Sequence, residues 1–97
     1  MRFLALVRRK NEDFTEEQIA EYLEPEAERV RDLYMHGVFR SVYSRGDVKG
    51  AVVELECESL EEAKQVMETM PFAQQKMIEI EMIPLLPYRG FAPRGRS

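Results

Sequence analysis

The chain has 97 residues, of which 44% are hydrophobic and 33% charged, a composition that fits one folded domain and excludes a disordered protein. The net charge is −4, and residues 1–86 hold all 18 acidic side chains against 11 basic ones. Such an acidic body argues against a nucleic-acid partner, because phosphates require a basic surface.

The cysteine content and the hydropathy of the sequence indicate the cellular compartment. Cys57 is the only cysteine in the sequence, so no internal disulfide is possible and a reducing environment is expected. The apolar run at residues 3–7 is too short for a signal peptide, and no stretch approaches the ~20 apolar residues that cross a bilayer. These features predict a cytoplasmic, soluble protein without a membrane partner.

In chain order, residues 2–9 are predicted to form a strand, as a compact apolar run bounded by arginines. Thr15 then offers a helix cap, apolar residues follow at helical spacing, and Gly37 supplies the stop. Pro25 lies inside this pattern and predicts a kink or a break, because proline lacks the amide donor and restricts the residue before it.

The rest of the chain is predicted to contain three more strands and a second helix. Strands are predicted at residues 38–44 and 51–57, joined by a hairpin turn in which the triplet from Arg45 to Asp47 is interpreted as turn chemistry. Ser59 and Glu62 form a capping-box pattern for a second helix, which Pro71 is expected to end, and the last strand spans 77–85.

The order β-α-β-β-α-β predicts an α+β, ferredoxin-like fold, with a four-stranded antiparallel sheet and two helices on one face. Residues 1–86 are predicted to form this domain. Residues 87–97 contain proline, glycine and three arginines without an acid, and are interpreted as a basic C-terminal tail.

Two of the strands alternate apolar and acidic residues, at 52–57 and 77–82. This period of two places Glu54, Glu56, Glu79 and Glu81 on the sheet face that the helices leave open. If water covers that face, these are solvating charges. If a second copy of the chain covers it, they line a chamber and become candidate acids and bases.

Register arguments extend this open face to the other strands. Pairing Phe39 with Leu55 across the hairpin predicts that Arg40 lies opposite Glu54. The same register pairs Ser41 with Val53 and Tyr43 with Ala51, and leaves Val38 and Val42 on the open face. In the first strand, either Phe3, Ala5 and Val7 or Leu4 and Leu6 could face the helices, since both sets are apolar. An open face rich in valine favours a homodimer, although valines scattered singly among charges are also normal for a surface.

Several segments together resemble one family. They are Leu33 to Gly37, the hairpin with Arg45, Gly46 and Gly50 to Leu55, Ser59 to Ala63, Met70 to Phe72, Ile80 to Leu85, and Pro87 with Tyr88. The chain resembles the muconolactone-isomerase-like branch of the dimeric α+β barrel superfamily. The resemblance implies two sheets packed face to face in a dimer, a cavity in each subunit, small organic substrates and no cofactor. It leaves the reaction open among isomerases, dehydrochlorinases, cyclases and cofactor-independent monooxygenases.

The residues themselves support a proton shuttle. Close carboxylates in a dry cavity raise the pKa of at least one of them, which could then take a proton from carbon next to a carbonyl and return it elsewhere. Glu54 or Glu79 is the predicted base, and Arg40 the predicted anion clamp. The alternative is simple pairing of Arg40 with Glu54 on a wet sheet.

The other candidates are weaker. Glu56 and Glu81 belong to the same predicted cluster, and His36 either acts in catalysis or simply interacts with the helix end beside it. Tyr34, Tyr43 and Cys57 are expected in the core. No metal-ligand spacing, phosphate loop or dinucleotide motif is present in the sequence.

Three classes of function therefore compete. The first is a cofactor-free enzyme that transfers protons on a small cyclic or conjugated substrate. The second is a non-catalytic ligand-binding or assembly module of the same fold. An RNA-binding version of this fold is disfavoured, because the third strand offers Val52, Glu54 and Glu56 where stacking aromatics are needed.

Overall fold

The computed structural model describes residues 1–91 of the chain. Its strands are β1 (Arg2–Arg9), β2 (Phe39–Ser44), β3 (Gly50–Glu56) and β4 (Ile78–Leu85), and its helices are α1 (Glu16–Met35), α2 (Leu60–Glu68) and the short α3 (Pro71–Gln74). Short 3₁₀ turns lie at Asn11–Asp13 and Arg89–Phe91. The fold is α+β and ferredoxin-like, as predicted.

The four strands form one antiparallel sheet in the order β2-β3-β1-β4. The first strand of the chain is therefore central, and β2 and β4 are the edges. No helix within residues 1–91 has both the length and the hydropathy to span a membrane.

Helix boundaries follow from their caps. The Thr15 side chain accepts a hydrogen bond from the amide of Gln18, whose side chain accepts one from the amide of Thr15, so both halves of a capping box are present. Ser59 accepts from the Glu62 amide, while the Glu62 carboxylate accepts from the Glu58 amide, one residue before the predicted partner.

Neither proline interrupts or ends a helix at its own position. Helix α1 runs without a break through Pro25, which is exposed, so the predicted break is wrong. Helix α2 ends at Glu68, before Pro71, and Pro71 instead begins α3. Proline fits there because the backbone N–H of the first helical residue has no acceptor within the helix, so its absence costs no hydrogen bond.

The core lies between the sheet and the helices. In β1 the buried set is Phe3, Ala5 and Val7, which decides the alternative that the sequence left open. They pack with Val53 and Leu55 of β3, and with residues of α1 and α2 that include Leu33, Ala63 and Met67. Further residues of β3 and β4, and one just after β3, also belong to this packing: Ala51, Cys57, Ile78, Ile80 and Met82.

The register of β2 is partly different from the prediction. Phe39 pairs with Leu55 as predicted, but a β-bulge follows, so that Ser41 pairs with Glu54 and Tyr43 with Val52. A one-residue shift exchanges the two faces of a strand. Val42 therefore packs against the core rather than lying on the open face; Val38, which precedes the bulge, also packs against the core, so both placements on the open face are wrong.

Candidate functional site

The candidate site is the sheet face opposite the helices, called the open face below. Because successive side chains of a strand alternate, the register places on it Arg2, Leu4, Leu6, Arg8, Ser41, Tyr43, Val52, Glu54, Glu56, Glu79, Glu81 and Ile83. All four glutamates predicted for this face are there.

The centre of the open face is apolar. Leu4 pairs with Ile83 on one side and Glu54 on the other, and Leu6 pairs with Val52 and Glu81. Leu4, Leu6, Val52 and Ile83 are each only half-buried in the single chain. A contiguous strip of half-exposed aliphatic side chains is what an association or ligand-binding surface provides.

One end of the open face carries the Arg2 cluster, which comprises Arg2, Glu54, Glu56 and Ser41. Arg2 Nη1 lies 2.7 Å from Glu54 Oε2, and Arg2 Nε lies 3.0 Å from Glu56 Oε1. Ser41 Oγ donates to Glu54 Oε1 at 3.1 Å. These bonds, Arg2 first and Ser41 second, lower the pKa of Glu54; the amino group of Met1 and then Arg2 lower the pKa of Glu56.

The opposite end carries the Arg8 cluster, formed by Arg8, Glu79 and Glu12. Arg8 Nε donates to Glu79 Oε2 at 3.1 Å, and Arg8 Nη2 donates to Glu12 Oε2 at 2.9 Å. The hydrogen bond from Arg8 lowers the pKa of Glu79. Grooves of about 560 and 380 Å³ lie beside the Arg2 and Arg8 clusters, respectively.

In the single chain, three of the four carboxylates are held by an arginine, and their pKa values move down. The raised pKa predicted for carboxylates in a dry cavity between two chains stays a prediction. Glu81 is exposed on the edge strand β4 and has no ion-pair partner among the side chains of residues 1–91.

Neither Arg40 nor His36 forms a hydrogen bond or ion pair with the four glutamates, although the charge of Arg40 is the last of the causes that lower the pKa of Glu54. The position opposite Glu54, predicted for Arg40, belongs to Ser41 because of the bulge, and Arg40 is exposed at the sheet edge. His36 is the exposed C-cap of α1, and its Nδ1 lies 2.8 Å from the Asp32 carbonyl oxygen and 3.2 Å from Asp32 Oδ1.

Of the three residues expected in the core, one is buried and two are exposed. Cys57 is buried, and burial raises the pKa of its thiol, as expected of an inert cysteine. Tyr43 and Tyr34 are 68% and 57% exposed, so the prediction that they belong to the core is wrong. Residues 1–91 hold no group of three metal-ligating side chains placed to bind one ion.

Sequence reasoning missed Arg2 and Arg8, which organise both ends of the open face. The signal was present: Arg2, Leu4, Leu6 and Arg8 alternate in β1, so placing the two leucines on the open face also places both arginines there. The choice stayed open because Phe3, Ala5 and Val7 are equally apolar.

Comparison with solved structures supports the fold. No protein-family model and no curated protein sequence matches the chain. Among solved structures, the chain is similar to 5-chloro-2-hydroxyhydroquinone dehydrochlorinase (TftG) from Burkholderia phenoliruptrix AC1100, in complex with 2,5-dihydroxybenzoquinone. The TM-score is 0.71 at 14% sequence identity, over 89% of this chain and 94% of that one. The likeness shows a shared α+β, ferredoxin-like fold; the dimeric α+β barrel superfamily and the muconolactone-isomerase-like family within it stay predictions.

Proposed function

We propose that two copies of the chain pair through their open faces, and that the space between the sheets binds a small cyclic or conjugated organic molecule for cofactor-free proton transfer. The observation that carries this proposal is the open face itself, with its aliphatic centre between two arginine–carboxylate clusters. The fold adds support, since TftG is an enzyme with the same fold, determined with a small quinone bound.

The aliphatic centre supplies the reason to associate. Leu4, Leu6, Val52 and Ile83 form one strip, and covering it removes apolar surface from water at about 25 cal/mol per Å². A second open face offers a matching strip. The charged clusters at both ends would then border the enclosed space rather than bulk water.

The chemistry proposed for this space is transfer of a proton between two carbons of a conjugated carbonyl compound. A glutamate takes the proton from carbon next to the carbonyl, leaving an enolate, and the resulting carboxylic acid returns it to another carbon of the conjugated system. Atoms and charge balance without a redox partner. Glu54 and Glu79 are the proposed bases, with Glu56 and Glu81 as further candidates.

Pairing with arginine affects how these bases would act. In the free chain, Arg2 and Arg8 lower the pKa values of Glu54 and Glu79, which weakens them as bases. A substrate that carries a carboxylate or develops an enolate competes for the same guanidinium. Drawing Arg2 or Arg8 toward the substrate would free the glutamate and raise its pKa at the moment it is needed.

The same pairing favours a second candidate, a non-catalytic small-ligand-binding module. A carboxylate held ionised by arginine is a stable electrostatic element and needs no catalytic role. This candidate shares the dimer and the ligand with the first and differs only in the absence of proton exchange.

The test combines mass in solution with isotope exchange. We expect a dimer by light scattering, a monomer for Leu6→Glu at the centre of the open face, and an unchanged dimer for the control Leu23→Glu, whose side chain is 47% exposed on α1. The wild-type protein, treated with a chelator, is then incubated in D₂O with unsaturated lactones and enones, and deuterium incorporation is followed by NMR.

The outcomes separate the candidates. Exchange that is lost in Glu54→Gln or Glu79→Gln supports the enzyme, and binding without exchange supports the module. A wild-type monomer that binds none of these compounds would overturn both.

A further inference from the structure

Another groove lies between the C-terminal half of α1 and the edge strand β2, and it meets the open face only at Ser41 and Tyr43. Its volume of about 500 Å³ is in the range of small-molecule sites. We call it the edge groove. Its walls are Val30, Arg31, Tyr34 and Met35 of α1, and residues 40–43 of β2.

The edge groove follows from local structure on both sides. Val30 and Tyr34, like Arg31 and Met35, are four residues apart, so one side of α1 presents all four toward β2. On the strand, the bulge after Phe39 shifts the alternation and brings Arg40 to the sheet edge. This juxtaposition was not predictable, because the hairpin sequence does not reveal the bulge.

Arg40 is the residue of the edge groove that is best placed to bind an anion. Arg2, Arg8, Arg29, Arg31 and Arg45 each form an ion pair with a carboxylate. Arg40 forms no ion pair or side-chain hydrogen bond with any group in residues 1–91. Its guanidinium therefore has its donors available for a planar anion, which it can bind in bidentate fashion.

The position of the guanidinium is defined by the turn after α1. A Cβ atom placed on Gly37 would lie 3.5 Å from Arg40 Nη1, so the charged group rests against this turn. Gly37 has φ of +76°, a conformation that glycine adopts without strain. The turn thus borders the guanidinium on one side.

The walls suit an aromatic ligand. Tyr34 and Met35 of α1 line the groove and are 57% and 81% exposed. A flat ring and a thioether favour stacking with another flat ring. No acidic side chain lines the groove, although residues 1–86 are acidic overall, and Arg31 adds a second cation, shared with Glu24.

We infer that the edge groove binds a small planar aromatic or conjugated carboxylate, with its carboxylate on Arg40 and its ring against Tyr34 and Met35. This inference does not depend on the proposed function, because Arg40, Tyr34 and Met35 lie outside the open face.

The experiment is a titration of the ¹⁵N-labelled protein with benzoate, followed by NMR, and with benzamide as a neutral compound of the same shape. We expect saturable shifts at residues 30–43 and about tenfold weaker binding of benzamide. Arg40→Gln should weaken benzoate binding about tenfold, and Arg40→Lys should restore part of it, since lysine keeps the charge but not the fork.

The control variant is Arg9→Gln. Arg9 lies over the Phe72 ring and donates to Asn11, away from the groove, so its loss should leave benzoate affinity unchanged. Melting temperatures check that each variant is folded. Equal affinity of Arg40→Gln and wild type, equal binding of benzamide, or shifts centred on Arg2 or Arg8 would each overturn the inference.

Discussion

The β2–β3 hairpin contains two glycines that give a matched test of the strand geometry. A Cβ atom on Gly50 would lie 2.0 Å from the Val7 carbonyl oxygen and 3.1 Å from Arg8 Cα, whereas one on Gly46 would meet nothing within 4 Å. Gly50→Ala therefore forces β3 away from β1 by more than about 1 Å, because carbon and oxygen atoms do not approach so closely.

The cost can be worked out from the contacts that this displacement disturbs. Gly50 pairs with Arg8 in the sheet, and the neighbouring Lys49 carbonyl accepts a hydrogen bond from the Arg9 amide at 2.8 Å. Crowding of a packed site costs about 1–3 kcal/mol, and a weakened hydrogen bond adds about 1 kcal/mol. For a domain of this size, a loss of about 2–3 kcal/mol lowers the melting temperature by roughly 10–20 °C.

The assay is thermal and urea unfolding of wild type, Gly50→Ala and Gly46→Ala, followed by circular dichroism. Gly46→Ala should change the free energy of unfolding by about 0.5 kcal/mol or less, because the new methyl group points into open space. If the two variants melt at the same temperature, the close approach of β3 to β1 is wrong, and with it the register that brings Arg8 onto the open face.

Two further predictions concern pH. Arg2 lowers the pKa of Glu54, so this pairing stabilises the fold above the ordinary carboxyl pKa of 4.5 and is lost as the pH falls through the lower folded value. Arg2→Gln should therefore flatten the fall in melting temperature between about pH 5 and 3, and equal slopes for both proteins would contradict this. Glu26 is half-buried and accepts a hydrogen bond from the Phe72 amide at 2.8 Å, but desolvation raises its pKa, so ionisation of Glu26 costs stability as the pH rises. Glu26→Gln keeps the acceptor and should be more stable than wild type at pH 7 but not at pH 4; the same gain at both values would exclude the charge as its cause.

Much of the fold could be predicted because its signals are local. Thr15 and Ser59 cap helices through hydrogen bonds to residues three positions on, and the alternation in 52–57 and 77–82 needs no information from elsewhere. The order of the elements then leaves few topologies, of which the split βαβ is one.

The candidate site was less predictable because it depends on pairing between distant strands. The bulge at residues 39–41 moved Ser41 to Glu54 and Arg40 to the sheet edge, and a hairpin sequence does not reveal such an insertion. The partner of Glu54 is Arg2, 52 residues away, and that contact exists only once the face of β1 is known. Charge pairing between strands depends on the tertiary structure, whereas alternation along one strand can be recognised in the local sequence.

The position of β1 at the centre of the sheet has a consequence for biosynthesis. Both of its neighbours come later in the chain, β3 about 40 residues after β1 ends and β4 about 70, so its apolar side chains have no strand partner while the intervening residues are made. The α1–β2–β3 segment can organise through contacts close in sequence, but the sheet closes on both sides of β1 only when β4 has left the ribosome. Synthesis that stalls before residue 78 would therefore expose one edge of the central strand β1, which makes a truncated product a substrate for chaperones or for aggregation.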